Sequence, residues 1–384
     1  MFAPHAAIAG LGFMGPTHIQ LLRRLGIPIA GILGIDRDEG EAVAKRMGIS
    51  RIFKDYTELS ESPEVDVVHI CTPNYLHFPM AKAALAAGKH VICEKPLATN
   101  SQESAELVSL ASEKGLTAIV NYNLRFYPLC QEARARIKEG EAGEIRLIHG
   151  AYLQDWLFLP TDWNWRLDPA LGGQLRAVAD IGTHWIDMVT HLTGLRVSAV
   201  LADLATFIST RYKPMQEVST FVGKLETSND YKPVPITTED VATILLQFEN
   251  GARGCLTISQ ISPGRKNYLW WEISGSKCSM RWDQENPNEL WLGFREKPNQ
   301  LLIKDPSLMH STARPFAAFP GGHAEGYPDT HYQLFKQVYD AIQYGGSVDP
   351  SIIPTFETGH NELLLCDAIQ LSTQERRWVD VHFK

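Results

Sequence analysis

The first 120 residues alternate short apolar runs with segments whose apolar spacing is typical of helices. The apolar runs show no polar alternation, which predicts strands that are buried on both faces. Helical segments between such strands imply parallel pairing, because a parallel connection needs a crossover. This pattern restricts the N-terminal part of the chain to a doubly wound parallel α/β fold. The predicted strands lie in the segments HAAIAG, IPIAGILGID, VDVVHICTP, KHVICEKP and LTAIVNYN.

Three glycines lie where the first predicted strand meets the first predicted helix, in the order Gly10, Gly12 and Gly15. The first allows a tight turn, the second permits close approach of a pyrophosphate, and the third lets helix and strand pack closely. The helix N-terminus then presents unpaired N–H groups to the phosphates. Together with the intervening Phe13 and Met14, these glycines predict a dinucleotide-binding loop.

Asp36 lies at the end of the second predicted strand, 21 residues after Gly15. A carboxylate at this position accepts hydrogen bonds from the ribose hydroxyls and repels a 2′-phosphate, which favours NAD without excluding NADP. An alternative role for Asp36 is that of a helix N-cap. The guanidinium of the next residue, Arg37, is able to stack on adenine or to pair with a phosphate.

Two further motifs follow in order, EKP at residues 94–96 and GGQ with DIGTHWID between residues 172 and 187. With the N-terminal glycines, they make the chain resemble the Gfo/Idh/MocA family of oxidoreductases, whose members include inositol dehydrogenases, glucose–fructose oxidoreductase and many sugar dehydrogenases. The resemblance extends over essentially the whole chain. It implies an NAD(P)-binding Rossmann domain, a second α+β domain and oxidation of CH–OH groups.

The resemblance assigns Lys95, Asp180 and His184 to positions around the reacting carbon. Lys95 follows a strand at the carboxyl edge of a parallel sheet, where ligands bind in such folds. Asp180 and His184 are four residues apart, so one helix turn brings them to the same face. Either the lysine or the imidazole is then a candidate base for the hydroxyl proton. The residues implied to line the nicotinamide end of the cofactor are Thr72, Pro73, Asn74, His77, Glu94 and Lys95.

The same helix also permits an alternative interpretation, a metal site. His184, Asp187 and His191 are spaced three and then four residues apart, which places them on one helix face. No further His or Cys lies close in sequence, so we expect that the protein holds no metal.

The pattern changes near residue 126, which predicts an NAD(P)-binding domain over 1–125 and a substrate-binding and oligomerisation domain over 126–384. Later β-rich stretches predict an α+β domain with a large, open and mostly antiparallel sheet. One face of this sheet is expected to pack on helices. Its tryptophan-bearing face suggests a subunit interface, and hence a homodimer or homotetramer.

Two stretches of the second domain, 211–238 and 296–330, are rich in Pro, Gly and polar residues and are predicted as long loops. Two helices near 331–344 and 355–373 are predicted to fold back towards the first domain.

Four tryptophans fall between residues 156 and 185. Tryptophan faces pack well against the C–H faces of sugar rings, and nearby amides and acids bind hydroxyls. Packing within the core is the alternative role for each of them. The predicted substrate-binding residues are Lys95, Arg125, Tyr127, Gln154, Trp156, Trp165, Asp180, His184 and His323.

Composition narrows the class of partner. Lys and Arg number 36 and Asp and Glu number 44, so the net charge is −8 and no basic block favours nucleic acid. No apolar run is long enough to span a bilayer, the N-terminus lacks a cationic start, and the six cysteines are scattered. These features predict a cytoplasmic protein whose partner is a small molecule.

The leading hypothesis is an NAD(P)-dependent dehydrogenase that oxidises a secondary hydroxyl of a sugar, anhydrosugar or cyclitol. One alternative is a relative that recycles a tightly bound NAD, as in glycoside cleavage or exchange between sugars. Another is a sensor that binds NAD or a sugar without catalysis.

Overall fold

The computed structural model describes residues 3–215 and 230–383. The chain divides into two compact units. The first unit comprises Met1–Asn123, Asp168–Gln174 and His331–Leu363. The second unit comprises Leu124–Leu167, Leu175–Thr330 and Leu364–Lys384.

Five short strands form the sheet of the first unit. They are β1 (Ala6–Ala9), β2 (Ile29–Leu33), β3 (Val67–Ile70), β4 (His90–Cys93) and β5 (Ala118–Val120). All neighbours pair in parallel, in the order β2-β1-β3-β4-β5. From β1 the chain first builds the sheet outwards to β2 and then in the opposite direction through β3, β4 and β5. Ligands of such sheets bind at the point where this direction reverses. The predicted doubly wound parallel fold is confirmed.

Several of the described helices begin at a residue whose side chain caps the first turn. The helices are α1 (Met14–Arg24), α2 (Arg37–Met47), α3 (Tyr56–Glu61), α4 (His77–Ala86), α5 (Ser101–Lys114), α6 (Pro128–Lys138), α7 (Pro169–Gly172), α8 (Thr183–Thr193), α9 (Tyr327–Gln343) and α10 (Phe356–Glu375). Asn100 caps α5 by accepting from Glu103 N, and Gly115 ends it in the left-handed conformation. The short α3 was not predicted, although Asp55 caps it in the same manner.

A nine-stranded sheet forms the framework of the second unit. Together with a separate pair of strands, the elements are β6 (Ile145–Leu153), β7 (Val197–Ala205), β8 (Thr210–Pro214), β9 (Tyr231–Pro235), β10 (Val241–Phe248), β11 (Arg253–Ser259), β12 (Tyr268–Gly275), β13 (Ser279–Asp283), β14 (Glu289–Gly293), β15 (Gln300–Ile303) and β16 (Val379–Asp380). The order in the sheet is β15-β14-β13-β12-β6-β11-β10-β7-β16. Only the β6–β11 pair is parallel within the described part of this sheet, which confirms the mostly antiparallel architecture.

One face of the large sheet is buried against helices. Strand β12 alternates, with Leu269, Trp271 and Ile273 buried in the core. Helix α8 contributes Trp185 to the same core, and its indole Nε1 donates to Trp270 O over 2.8 Å. This contact fixes the first turn of α8 against the sheet, and the predicted His184 lies in that turn.

The two predicted long loops were only partly correct. Within 211–238, β8 and β9 pair in antiparallel fashion, and residues 216–229 lie outside the described part of the chain. Within 296–330, β15 adds an edge strand to the large sheet. These strands have four or five residues each, too few for a recognisable alternation. Across the described residues, no helix combines the length and the apolar character that a membrane span requires.

Candidate active site

The glycine loop between β1 and α1 has the geometry that a pyrophosphate needs. Gly10 has φ +90°, and a Cβ there would lie 2.6 Å from the Cys71 carbonyl carbon. A Cβ on Gly15 would lie 2.1 Å from Gly10 O, whereas a Cβ on Gly12 would meet nothing within 4 Å. Gly10 and Gly15 are therefore required by the packing of the protein itself. The open space at Gly12, beside the N-terminus of α1, fits a dinucleotide phosphate.

Asp36 is the N-cap of α2, since its Oδ1 accepts from Glu39 N over 2.8 Å. The side chain is exposed at the carboxyl end of β2. The alternative role of Asp36 as an N-cap is therefore confirmed. The contact of Asp36 with ribose stays a prediction, and the second carboxylate oxygen would make it. Arg37 forms an exposed ion pair with Glu41 at 2.7 Å, and its predicted contact with the cofactor is equally untested.

The loops that follow β3 and β4 are joined by His77. Its ring is buried, with Nε2 at 2.8 Å from Thr72 O and Nδ1 at 2.7 Å from Pro96 O. Its ring nitrogens thus both face carbonyl oxygens of the protein, although the sequence had suggested a cofactor contact. Asn74 Nδ2 donates to Gly172 O over 2.8 Å, which attaches the GGQ segment to the loop after β3.

Glu94 belongs to a buried polar network, which the sequence did not reveal. Its Oε1 lies 3.0 Å from His18 Nε2 and accepts from Asn121 Nδ2. Burial alone raises the pKa of the Glu94 carboxyl, but the hydrogen bond and charge of His18, with further polar neighbours, lower that pKa to about 2. His69 Nδ1 lies 2.9 Å from His18 Nδ1, and burial holds the pKa of His69 well below its usual range. Glu94 is therefore an ionised carboxylate inside the first unit.

Lys95 follows Glu94 directly and is half-buried. It lies beyond the carboxyl end of β4, as predicted, on the same sheet edge as the glycine loop after β1. All the predicted cofactor-binding residues belong to the first unit.

In the second unit, Asp180 lies in a π-helical turn over residues 178–182, and α8 follows directly. Arg166 Nε donates to Asp180 Oδ1 over 3.1 Å, and Gln260 Nε2 donates to Oδ2 over 2.8 Å. Both carboxylate oxygens are therefore oriented by side chains from other elements. Gln260 was missed by the sequence analysis, because one amide at the end of an apolar strand carries no distinctive signal.

The π-helical turn is itself anchored by a buried acid. Glu239 Oε1 accepts from Val178 N over 2.8 Å and from Arg176 N over 2.9 Å. Burial raises the pKa of Glu239, while these backbone hydrogen bonds oppose that shift. The position of Asp180 is thus fixed by a residue some sixty positions away, which no local pattern predicts.

His184 is buried, and its ring centroid lies 6.4 Å from that of Tyr152. Tyr152 OH donates to Asn267 Oδ1 over 2.7 Å, and Gln154 Nε2 donates to the same oxygen over 2.8 Å. Trp156 Nε1 in turn donates to Gln154 Oε1 over 2.8 Å. The structure therefore brings the predicted Gln154 and Trp156 together with Tyr152 and Asn267, which sequence reasoning had not singled out.

Tyr127 is buried, with its ring 4.9 Å from that of Trp282. Burial raises the pKa of the Tyr127 hydroxyl, and the side chain of Gln284 opposes this. Burial raises the pKa of the Tyr152 hydroxyl as well. Tyr127 and Tyr152 are therefore neutral hydroxyl groups.

Arg125 forms a buried ion pair with both carboxylate oxygens of Asp187. This pair ties the start of the second unit to α8, and it uses the carboxylate that the metal alternative required. Gln131 Nε2 lies 3.1 Å from His191 Nε2. The described residues contain no group of three or more His, Cys, Asp or Glu that is arranged to hold a metal ion.

The two remaining predicted residues have different surroundings. Trp165 is half-buried, and the guanidinium carbon of Arg166 lies 4.3 Å from its ring centroid. His323 is exposed and contacts Gly321 O at 3.3 Å. In the same segment Glu325 is buried, accepting from Lys304 Nζ over 2.8 Å. Glu325 therefore anchors this loop, while the substrate contact of His323 stays a prediction.

Comparison with known proteins agrees with this geometry. A parallel sheet with such a glycine loop is typical of dinucleotide-binding proteins. Residues 5–122 match the description "Oxidoreductase family, NAD-binding Rossmann fold", which makes the chain an NAD-binding oxidoreductase. Residues 130–281 match "GFO/IDH/MocA C-terminal domain". The chain belongs to the Gfo/Idh/MocA family, which confirms the predicted resemblance, enzyme class and NAD cofactor.

Levoglucosan dehydrogenase from Pseudarthrobacter phenanthrenivorans is 32% identical over 98% of this chain and 98% of its own. A solved complex of levoglucosan dehydrogenase with NADH and levoglucosan has a TM-score of 0.87 at 30% identity, covering 98% of this chain and 99% of that one. An inositol dehydrogenase homologue from Azotobacter vinelandii, solved with NAD+, has a TM-score of 0.84 at 26% identity and covers 98% and 97%.

Proposed function

We propose that this protein oxidises a secondary hydroxyl group of an anhydrosugar, sugar or cyclitol, with NAD as the hydride acceptor. The observation that carries the proposal is the second unit's cluster around His184, in which aromatic rings and neutral amides lie together. Amides and hydroxyls bind sugar hydroxyls, and an indole face packs on the C–H face of a sugar ring. The full-length likeness to levoglucosan dehydrogenase supports the same substrate class.

The first unit supplies the cofactor site. The loop from Gly10 to Gly15 and the N-terminus of α1 would hold the pyrophosphate, and Asp36 would bind the adenosine ribose. The loops after β3 and β4 would lie at the nicotinamide end. When bound, NAD supplies a carbon that accepts hydride from the alcohol.

Lys95 or His184 would accept the proton that leaves the hydroxyl group as the hydride is transferred to NAD. An amine and an imidazole are both groups that accept and return protons in general acid–base catalysis. Arg166 and Gln260 hold the two carboxylate oxygens of Asp180. Asp180 would bind a substrate hydroxyl and orient His184. The substrate would contact Tyr127, Gln154, Trp156 and Trp165.

The test is an NADH-formation assay with a panel of levoglucosan, myo-inositol, D-glucose and L-sorbose, each with NAD+ and with NADP+. We expect turnover of at least one cyclic polyol with NAD+. Co-purified cofactor with no net NADH release would instead indicate a recycling enzyme. Tight NADH binding without turnover of any polyol would indicate a sensor and contradict the proposal.

We also propose that the outer face of the large sheet joins copies of this chain. Leu147 and Leu245 are exposed on this face, and Trp270 and Trp291 are half-buried there. A sheet face that exposes several large apolar side chains is a candidate subunit interface. Light scattering should report a dimer or tetramer, and a Trp291→Glu variant should shift it towards the monomer. A wild-type monomer would contradict this assignment.

A further inference from the structure

The two neighbours of Lys95 in the chain are each held by a buried histidine of the first unit. On the N-terminal side, Glu94 Oε1 lies 3.0 Å from His18 Nε2. On the C-terminal side, Pro96 O lies 2.7 Å from His77 Nδ1. The lysine is thus flanked by a residue held through its side chain, Glu94, and by one held through its main-chain carbonyl, Pro96. Both contact distances are those of ordinary hydrogen bonds.

Each histidine also belongs to an element that forms the cofactor site. His18 is on α1, the helix whose N-terminus would face the phosphates under the proposed function. His77 begins α4, and its Nε2 lies 2.8 Å from Thr72 O in the loop after β3. The lysine's loop is therefore connected to the phosphate-binding helix through one histidine and to the loop after β3 through the other.

Both histidines lie deep in the protein, with 0% of His18 and 1% of His77 exposed. A buried imidazole between fixed partners has little freedom to rotate, so it transmits the position of one element to the next. In either neutral tautomer His77 donates to one of its two carbonyl partners, and with two protons it donates to both.

A lysine needs this kind of support more than most catalytic groups. Its amine is at the end of a four-carbon stem, so the position of the main chain sets the region that the amine is able to reach. A misplacement of about 1 Å at a reacting centre costs about 10²-fold in rate. Contacts that fix residues 94 and 96 therefore restrict where the Lys95 amine is able to reach.

We propose that His18 and His77 are positioning residues, which fix Lys95 relative to the glycine loop and to the loop after β3. His77 was predicted to line the cofactor, but both of its ring nitrogens face main-chain carbonyl groups. In this proposal His77 acts through the Pro96 carbonyl, and His18 acts through the Glu94 side chain. The inference rests on the proposed function, because it assumes that Lys95 acts on the substrate.

The first experiment is a set of double-mutant cycles, with levoglucosan and NAD+ as the assay. His77→Leu and His18→Leu should each lower kcat by about 10²-fold while the KM for NAD+ changes by less than about threefold. In a Lys95→Met background, the same substitutions should lower the residual kcat by less than about threefold, because the group through which they act is absent. His18→Gln keeps an N–H donor for Glu94 and should restore most of the lost rate.

His360→Leu is the matched control. His360 is a buried histidine of the same unit, with Nδ1 at 2.8 Å from Ser104 Oγ on α5. Its replacement should leave kcat within about threefold of wild type in both backgrounds.

A second measurement needs no substrate. Hydrogen–deuterium exchange should be faster in residues 71–77 and 93–97 of the His77→Leu protein, and unchanged in α5. Exchange that rises throughout the first unit would show that His77 has only a general structural role. Exchange that does not change in these two loops would show that His77 does not hold them. Either result would overturn the proposal.

The rate data separate the two ideas. Equal losses in the wild-type and Lys95→Met backgrounds would mean that the histidines do not act through the lysine, which overturns this inference and leaves the proposed function intact. If the Lys95→Met variant alone keeps the wild-type rate, the proposed role of Lys95 is wrong, and the positioning role is rejected with it.

Discussion

The two units of this protein build their functional residues in different ways. In the first unit, the glycine loop, Asp36 and Lys95 all lie at strand ends on one edge of a parallel sheet, and short motifs identify them. In the second unit, the partners of Asp180 and His184 come from positions scattered along the chain. Under the proposed function, the cofactor would be bound mainly by backbone geometry, and the substrate by side chains that the fold brings together from distant positions.

The sharpest test of the first unit's role is Lys95→Met. We expect kcat to fall by about 10³-fold, within the range that a positioned acid or base contributes, with NADH affinity retained. Steady-state kinetics on the best polyol and NADH fluorescence titration measure the two effects. Lys82→Met removes a lysine from an exposed ion pair with Glu106 and should have no effect. A loss in kcat of less than about tenfold in the Lys95→Met variant would indicate that a residue of the second unit, and not Lys95, transfers the proton.

The buried charge of Glu94 should appear in the pH dependence of stability. Its pKa of about 2 in the folded protein is below its ordinary value of 4.5, so its stabilisation is present above pH 4.5 and is lost as the pH falls towards 2. The shift corresponds to about 3 kcal/mol at neutral pH, of which about 2 kcal/mol is lost by pH 3.

Urea unfolding of wild type and Glu94→Gln at several pH values measures this effect. The difference between the two proteins should shrink on acidification. A difference that stays constant from neutral pH to pH 3 would mean that the carboxyl is not ionised in the folded protein.

The glycine loop allows a test that separates binding from folding. A Cβ at position 12 would meet no protein atom within 4 Å, so the Gly12→Ala variant should fold normally. Its methyl group would occupy the space proposed for the pyrophosphate, so the variant should bind NADH at least about tenfold more weakly. Gly15→Ala places its methyl group against Gly10 O and should destabilise the first unit instead. Thermal unfolding and NADH titration distinguish the two. Unchanged NADH affinity in Gly12→Ala would count against a pyrophosphate at this loop.

The smallest expected effect concerns a residue that the sequence did not reveal. Gln260→Leu removes one hydrogen bond to Asp180, and we expect kcat to fall by about tenfold because one retained bond, from Arg166, still orients the carboxylate. Gln247→Leu, a glutamine on the neighbouring β10, is the matched control. A loss confined to the KM for NAD+ would indicate that Asp180 does not act on the substrate.

The same contrast explains how much the sequence could predict. The parallel sheet, the glycine loop and most helices were predicted correctly, because apolar runs and capping residues are local signals. His323 was predicted to bind substrate, and the structure shows that Glu325 is the buried residue of the same segment, because Lys304 from a different part of the chain pairs with it. Gln260, Asn267 and Glu239 were missed for the same reason, as each gains its role only when distant strands meet.

The first unit is assembled from three separate stretches of chain, the last of which ends at Leu363. Thr355 bridges to Ile119 of β5, and Tyr339 OH lies 2.8 Å from His69 Nε2. During synthesis on the ribosome, the nucleotide-binding part is therefore incomplete until almost all of the polypeptide has emerged. A gene fragment that stops at residue 123 lacks these partners, and an insoluble product is the expected result of expressing it.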